Sequence, residues 1–142
     1  GAEVAWNIYN PKDQDVSLKD TTRFFKAVRF ATPHEALNFA IDKVTPDKQP
    51  NALEAIVRNW SPTDLKSMSE ELSIRPVEPR YDGAYAALAG RILTTDPVSA
   101  AQWSNIIADA KLRNTVQKQI KEYIRIYDES ILRQVNSALD NQ

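Results

Sequence analysis

Four cations offer the clearest chemistry in this sequence: Lys111, Lys118, Lys121 and Arg125. Lys111, Lys118 and Arg125 recur every seven residues, about two helical turns, and Lys121 falls beside them. A helix through this segment carries them as one basic stripe, away from a face holding Leu112, Val116, Ile120 and Tyr123. Such a stripe meets phosphates or an acidic partner, and it serves equally as a solvated outer face. No aromatic residue interleaves the row, which disfavours nucleic acid, where bases stack on rings set between the cations. These four are the candidate partner-binding residues.

The titratable groups offer less. His34 is the single histidine and cysteine is absent, so common zinc patterns, thiol nucleophiles and disulfide scaffolds are excluded together. His34 sits just inside an expected helix start, which predicts a solvent-facing ring. Glu70 and Glu71, with Glu54, Glu78 and Asp82, supply carboxylates of the kind glycosidic chemistry pairs. Adjacent carboxylates on a helix more often form a solvated face, and the glycine-rich polar loops of helical muramidases are missing. No G-x-S-x-G, Walker or G-x-G-x-x-G pattern occurs. The expectation is therefore no enzyme: no catalytic residue, no cofactor and no metal.

The composition bounds the elements that must position these groups. The chain has 142 residues, 18 Lys plus Arg against 19 Asp plus Glu, and a formal net charge of -1. That balance lacks the basic excess of a dedicated nucleic-acid binder. At 42% hydrophobic and 26% charged it is globular in composition. No apolar run reaches the length of a membrane span, and no signal-peptide pattern opens the chain. Gly1-Ala2 without an initiator Met fits an excised or processed chain, a removed leader included. The absence of cysteine is compatible with any compartment.

Only three glycines occur, too few for a protein of many tight β-turns. Prolines stand instead at helix starts. Thr32-Pro33-His34-Glu35 and Ser61-Pro62-Thr63-Asp64 each set a hydroxyl at the N-cap, Pro at the first helical position and an acid at the third. Asp96-Pro97 repeats the signal, and Asp128 is a fourth cap without the proline. With apolar residues at i, i+3, i+4 and i+7, these caps predict eight helices. Their ranges are 18–30, 33–43, 50–60, 62–72, 82–93, 97–108, 111–126 and 129–139. Trp60 and Trp103 fall in register with their helices' apolar stripes and are expected in the core. Residues 73–80, with Pro76 and Pro79, are expected to form an extended connector.

The caps recur at intervals of 29, 34 and 32 residues: Thr32 to Ser61, Ser61 to Thr95, Asp96 to Asp128. Helix pairs repeating at that period suggest an α-solenoid, in which each hairpin buries its apolar face on the next. The fold expected is all-α: four antiparallel hairpins stacked as a short superhelix, with residues 17–142 as one helical-repeat domain. An all-α protein without true repeats would show similar spacing.

Asp96-Pro97-Val98-Ser99-Ala100-Ala101-Gln102-Trp103, followed by Ile107 and Arg113, resembles the D-P-x-x-A-x-x-W helical repeats of large bacterial proteins. Those are similar to tetratricopeptide-type helix pairs. The likeness covers roughly residues 61–139 and implies a stacked superhelix that binds peptides or proteins. The W-x-x-L-G-x-x-Y start of true tetratricopeptide repeats is not met, so no binding residue carries over.

Residues 1–16 stand apart. Val4, Trp6 and Ile8 alternate with Ala5 and Asn7, which predicts an extended segment with one apolar face, ending at Pro11. It lies across the first hairpin as a cover, docks on another chain or on a neighbouring repeat's groove, or stays disordered. Residues 12–20 have the polar composition of a linker. The function expected is a non-enzymatic scaffold or adaptor whose hairpins present a concave surface to a protein or peptide. The alternative is a compact helical bundle with a structural or regulatory role inside a larger assembly.

Overall fold

A computed structural model describes residues 1–10, 16–127 and 129–140, and every regular element among them is helical. The α-helices are α1 (Ala2–Tyr9), α2 (Leu18–Ala27), α3 (Pro33–Lys43), α4 (Gln49–Asn59) and α5 (Leu65–Ile74). They continue with α6 (Asp82–Ile92), α7 (Pro97–Asn105), α8 (Ala110–Arg125) and α9 (Glu129–Asp140). The chain divides into two compact units, Gly1–Pro76 and Val77–Gln142. The all-α expectation holds among the described residues.

The helix starts obey local capping chemistry. Ser17, Thr32 and Asp96 accept from the backbone N–H of Asp20, Glu35 and Ser99, each at 3.1 Å. Asp109 does the same for Leu112 at 2.8 Å, a cap the sequence pattern did not single out. Each such bond satisfies one orphan donor of the first turn and contributes about 1 kcal/mol. The Ser61 cap is different. Pro62–Asp64 forms a 3-10 turn, and α5 begins only at Leu65. Ser61 Oγ bonds the Thr63 hydroxyl at 2.9 Å and caps no helix amide. The Asp128 cap lies outside the described residues, as does part of the expected linker.

In the first unit α4 packs on α2 and α3, α3 also meets α5, and α1 lies on α2. Phe24, Phe25, Leu37, Leu53, Ile56, Val57, Met68 and Leu72 are buried there. Buried Gln49 donates from Nε2 to the Ile41 and Val44 carbonyls at 3.0 and 2.9 Å, which closes the C-terminus of α3. In the second unit α7 meets α6, α8 and α9, and α8 meets α6 and α9. Tyr81, Tyr85, Leu88, Ile107, Ile120, Ile124 and Val135 fill its interior.

Several expectations need correction. Residues 2–9 are helical, not extended. A strand here would have no neighbour to satisfy its backbone, whereas a helix bonds internally and carries Ala2, Ala5 and Glu3 comfortably. Trp6 alone of the alternating set is buried, while Val4 and Ile8 lie 64% and 74% exposed on the opposite side. Trp60 and Trp103 are half-buried, not core. Helix α8 buries Val116, Ile120 and Ile124, and beyond that i, i+4, i+8 row Tyr127 is exposed.

Helix α2 stops at Ala27, three residues before expected, and Val28 is extended. Continued as a helix, Phe30 would sit about 140° around the axis from Phe25. Leaving the helix lets Phe30 stack on Phe25 at 6.2 Å and 14°, and approach Phe39 at 5.5 Å.

Candidate binding cleft on the first unit

The early end of α2 borders a concavity in the first unit. Residues 28–31 leave α2 as a loop, and residues 60–61 lead from α4 into the Pro62–Asp64 turn. Between them opens a cleft of about 470 Å³. Phe25, Phe30, Ile56, Trp60 and Pro62 supply its apolar walls, and Arg29, Asn59 and Asp64 its polar ones.

The polar groups are held in place. The Trp60 indole N–H donates to Asp64 Oδ2 at 3.1 Å, and the Ser67 hydroxyl donates to Oδ1 at 2.6 Å. Ser67 and then Trp60 hold the Asp64 carboxyl below the usual carboxylate value, against a smaller opposing effect of desolvation. Asp64 therefore stays ionised and acts as a fixed acceptor. Asn59 donates its amide to the Ala55 carbonyl at 2.8 Å, which leaves its side-chain oxygen to accept. Arg29 gives one N–H to the Lys26 carbonyl at 3.2 Å, so its guanidinium folds toward the end of α2.

Outside the cleft, α2 carries Lys19, Arg23 and Lys26 at i, i+4 and i+7, around an open hollow shared with Leu18 and Thr22. Asp20 comes within 4.0 Å of Arg23. Lys19, Lys26 and Arg29 make no ion pair among the described residues. Helix α2 thus presents a basic ridge that leads through Arg29 to the cleft. Sequence inspection missed it, although its spacing is the kind that revealed the α8 stripe.

The expected stripe is where the helix periodicity puts it. Lys111, Lys118, Lys121 and Arg125 are all exposed on α8. Arg125 donates to Glu122 at 3.1 Å, so the stripe's last cation is shared with an acid of its own helix.

His34 is indeed exposed, yet it has partners. Its Nδ1 lies 3.2 Å from Glu71, and Asn38 bonds its Nε2 at 2.9 Å. Arg75 donates to Glu71 at 2.8 Å and to the Asn38 side-chain oxygen at 2.7 Å. Because Arg75 claims that oxygen, the Asn38 amide must be the donor to Nε2, which puts the ring proton on Nδ1 toward Glu71. Glu71 is only 12% exposed at its side chain, so it belongs to this network and not to a solvated face as expected. The network ties α3 to α5 and places no nucleophile beside the imidazole. Glu70 is exposed. Asp82 accepts from the backbone N–H groups of Ala108 and Asp109 at 2.8 and 2.9 Å, pinning the loop before α8.

Among the described residues no cluster of three or more His, Asp or Glu side chains could hold a metal ion. No described helix is long and apolar enough to cross a membrane. The chain matches no protein family, no curated protein and no solved structure.

Proposed function

We propose that this chain is a non-enzymatic helical module that binds a protein or peptide segment. The observation that carries this is the first unit's cleft: aromatic walls flanked by a fixed anion, an amide oxygen and a guanidinium. Peptide sites combine those features, an apolar pocket for a side chain and acceptors for main-chain N–H groups. The hairpins are read as a short repeat array. Neighbouring helices in sequence pack together in α3–α4, α6–α7 and α8–α9, and the hydroxyl or carboxylate caps recur along the chain.

A compact bundle with a structural or regulatory role is the second reading. It is favoured by α7 touching all three of the other helices in its unit, more like a closed bundle than a stack.

Selection of a displayed random-peptide library against the purified chain, followed by amide NMR titration, separates them. The binding module should enrich peptides that saturate one site and shift Phe25, Arg29, Phe30 and Trp60. No enrichment, or shifts confined to other surfaces, would overturn the assignment of the cleft.

A further inference from the structure

We infer that the cleft's partner is an acidic segment of another protein that carries an aromatic or large aliphatic anchor. The inference rests on the peptide-binding reading above and names the class of peptide. The anchor enters between Phe30 and Trp60, above the largely covered Phe25 ring, where ring faces and edges give a side chain more contact than an open surface does. The acidic residues run along α2 over Arg29, Lys26, Arg23 and Lys19. From Lys19 to Lys26 the ridge spans about 10 Å at 1.5 Å per residue, the length of about three extended peptide residues.

Charge selects the partner. Three of those four cations lack an ion-pair partner among the described residues, and the fourth has only a distant one. The excess is local, since the whole chain carries a net charge of -1. An acidic peptide completes the ridge, steers its own approach and gains register from the seven-residue spacing.

Nucleic acid shares the ridge's charge preference but not the cleft's. The Asp64 carboxylate stands at the cleft wall, held ionised by Ser67 and Trp60, and would repel a phosphodiester. A peptide instead brings main-chain N–H donors to Asp64 and Asn59, which phosphodiester backbones lack.

Dye-labelled degenerate peptide pools test this by fluorescence anisotropy at low and high salt. One pool carries a run of acids beside an aromatic or leucine anchor; a second has the acids replaced by amides, and a third has the anchor replaced by serine. The first should bind at least about tenfold more tightly than either control, with affinity falling as salt rises. In the double variant Lys19→Glu, Lys26→Glu, both sites being exposed, that advantage and the salt dependence should largely vanish while the helical circular dichroism is unchanged.

Equal binding of the acidic and amide pools would overturn the acidic partner yet leave a peptide cleft standing. Selected peptides that bind away from the cleft would remove both. A thymidine oligonucleotide that displaces the acidic pool more tightly than the pool binds would overturn the inference in favour of nucleic acid. Self-association abolished by the same double variant would overturn it in favour of a second copy of this chain.

Discussion

Replacing Trp6 by alanine measures what holds α1 in place. The indole is 5% exposed and lies edge-on to Phe24 at 4.9 Å, with Phe25 at 6.1 Å and Phe39 at 6.2 Å. Burying about 200 Å² of tryptophan surface at about 25 cal/mol per Å² amounts to about 5 kcal/mol. Because an unfolded chain already hides part of that surface, about 3–5 kcal/mol is the expected loss. Eight residues are too few to keep α1 helical unaided. The Lys43–Glu3 pair at 3.0 Å is largely exposed and adds about 0–1 kcal/mol. The indole therefore dominates docking, and Trp6→Ala should release α1 as a unit instead of leaving a cavity beneath it. Urea unfolding should show the 3–5 kcal/mol loss, and deletion of residues 1–10 should cost nearly the same. Amide exchange should show α1 unprotected in Trp6→Ala while α2 to α4 keep their protection. A loss below about 1 kcal/mol would refute this account, since no buried tryptophan is worth so little. So would a truncation that costs about 2 kcal/mol more than the point substitution, because Tyr9, whose ring meets Phe24 at 5.5 Å, or the backbone would then carry the docking.

Deleting residues 1–16 uncovers the Phe24, Phe25 and Phe39 rings that α1 contacts, and sedimentation velocity should then show concentration-dependent self-association. Asp82→Ala leaves the Ala108 and Asp109 amides without their acceptor; both residues are exposed, water replaces part of the bond, and chemical denaturation should register about 1–2 kcal/mol. Folding lowers the Asp64 carboxyl below its ordinary 3.8, so its contribution is complete above that pH and is lost as pH falls through the lowered value. Asp64→Asn should accordingly flatten the pH dependence of stability in that acid window. Burial is the main cause that raises the Tyr85 phenol above 10.0, helped by the nearby Tyr81, Asp82 and Glu78 charges and opposed by its bond to the Glu78 backbone. Its contribution is thus present below pH 10.0 and is lost as pH rises through the raised value; Tyr85→Phe should remove that alkaline loss in unfolding curves taken at successive pH values.

Most of the helical architecture was legible because its signals are local. Thr32-Pro33 and Asp96-Pro97 announce their helices through a side-chain oxygen three residues from the amide it meets, and both bonds form. Ser61-Pro62 carries the same letters, yet Pro62–Asp64 forms a 3-10 turn in which Ser61 bonds the Thr63 hydroxyl and Asp64 is engaged by Trp60 and Ser67. Those partners lie outside the cap motif, Trp60 before it and Ser67 after it, so no cap rule applied at Ser61 contains them. Residues 1–10 failed for a related reason. Over so short a segment, alternation of Val4, Trp6 and Ile8 mimics a strand, while the decisive fact is that the neighbouring elements are helices and offer no ladder.

The cleft was illegible on stronger grounds. Phe25 and Phe30 come from the end of α2, Trp60 and Pro62 from the end of α4, and no single periodicity contains both. Their meeting depends on Val28 turning extended, a break that neither proline nor glycine marks. The basic ridge was within reach, since Lys19, Arg23 and Lys26 follow the spacing that drew attention to α8. What distinguishes the two cationic faces is their surroundings. The α8 stripe spends Arg125 on Glu122, whereas the α2 ridge leads through Arg29 into a walled, partly aromatic site. Charge alone attracts any polyanion; charge beside an apolar pocket with its own fixed carboxylate discriminates among them, and α2 is where the first unit combines the three.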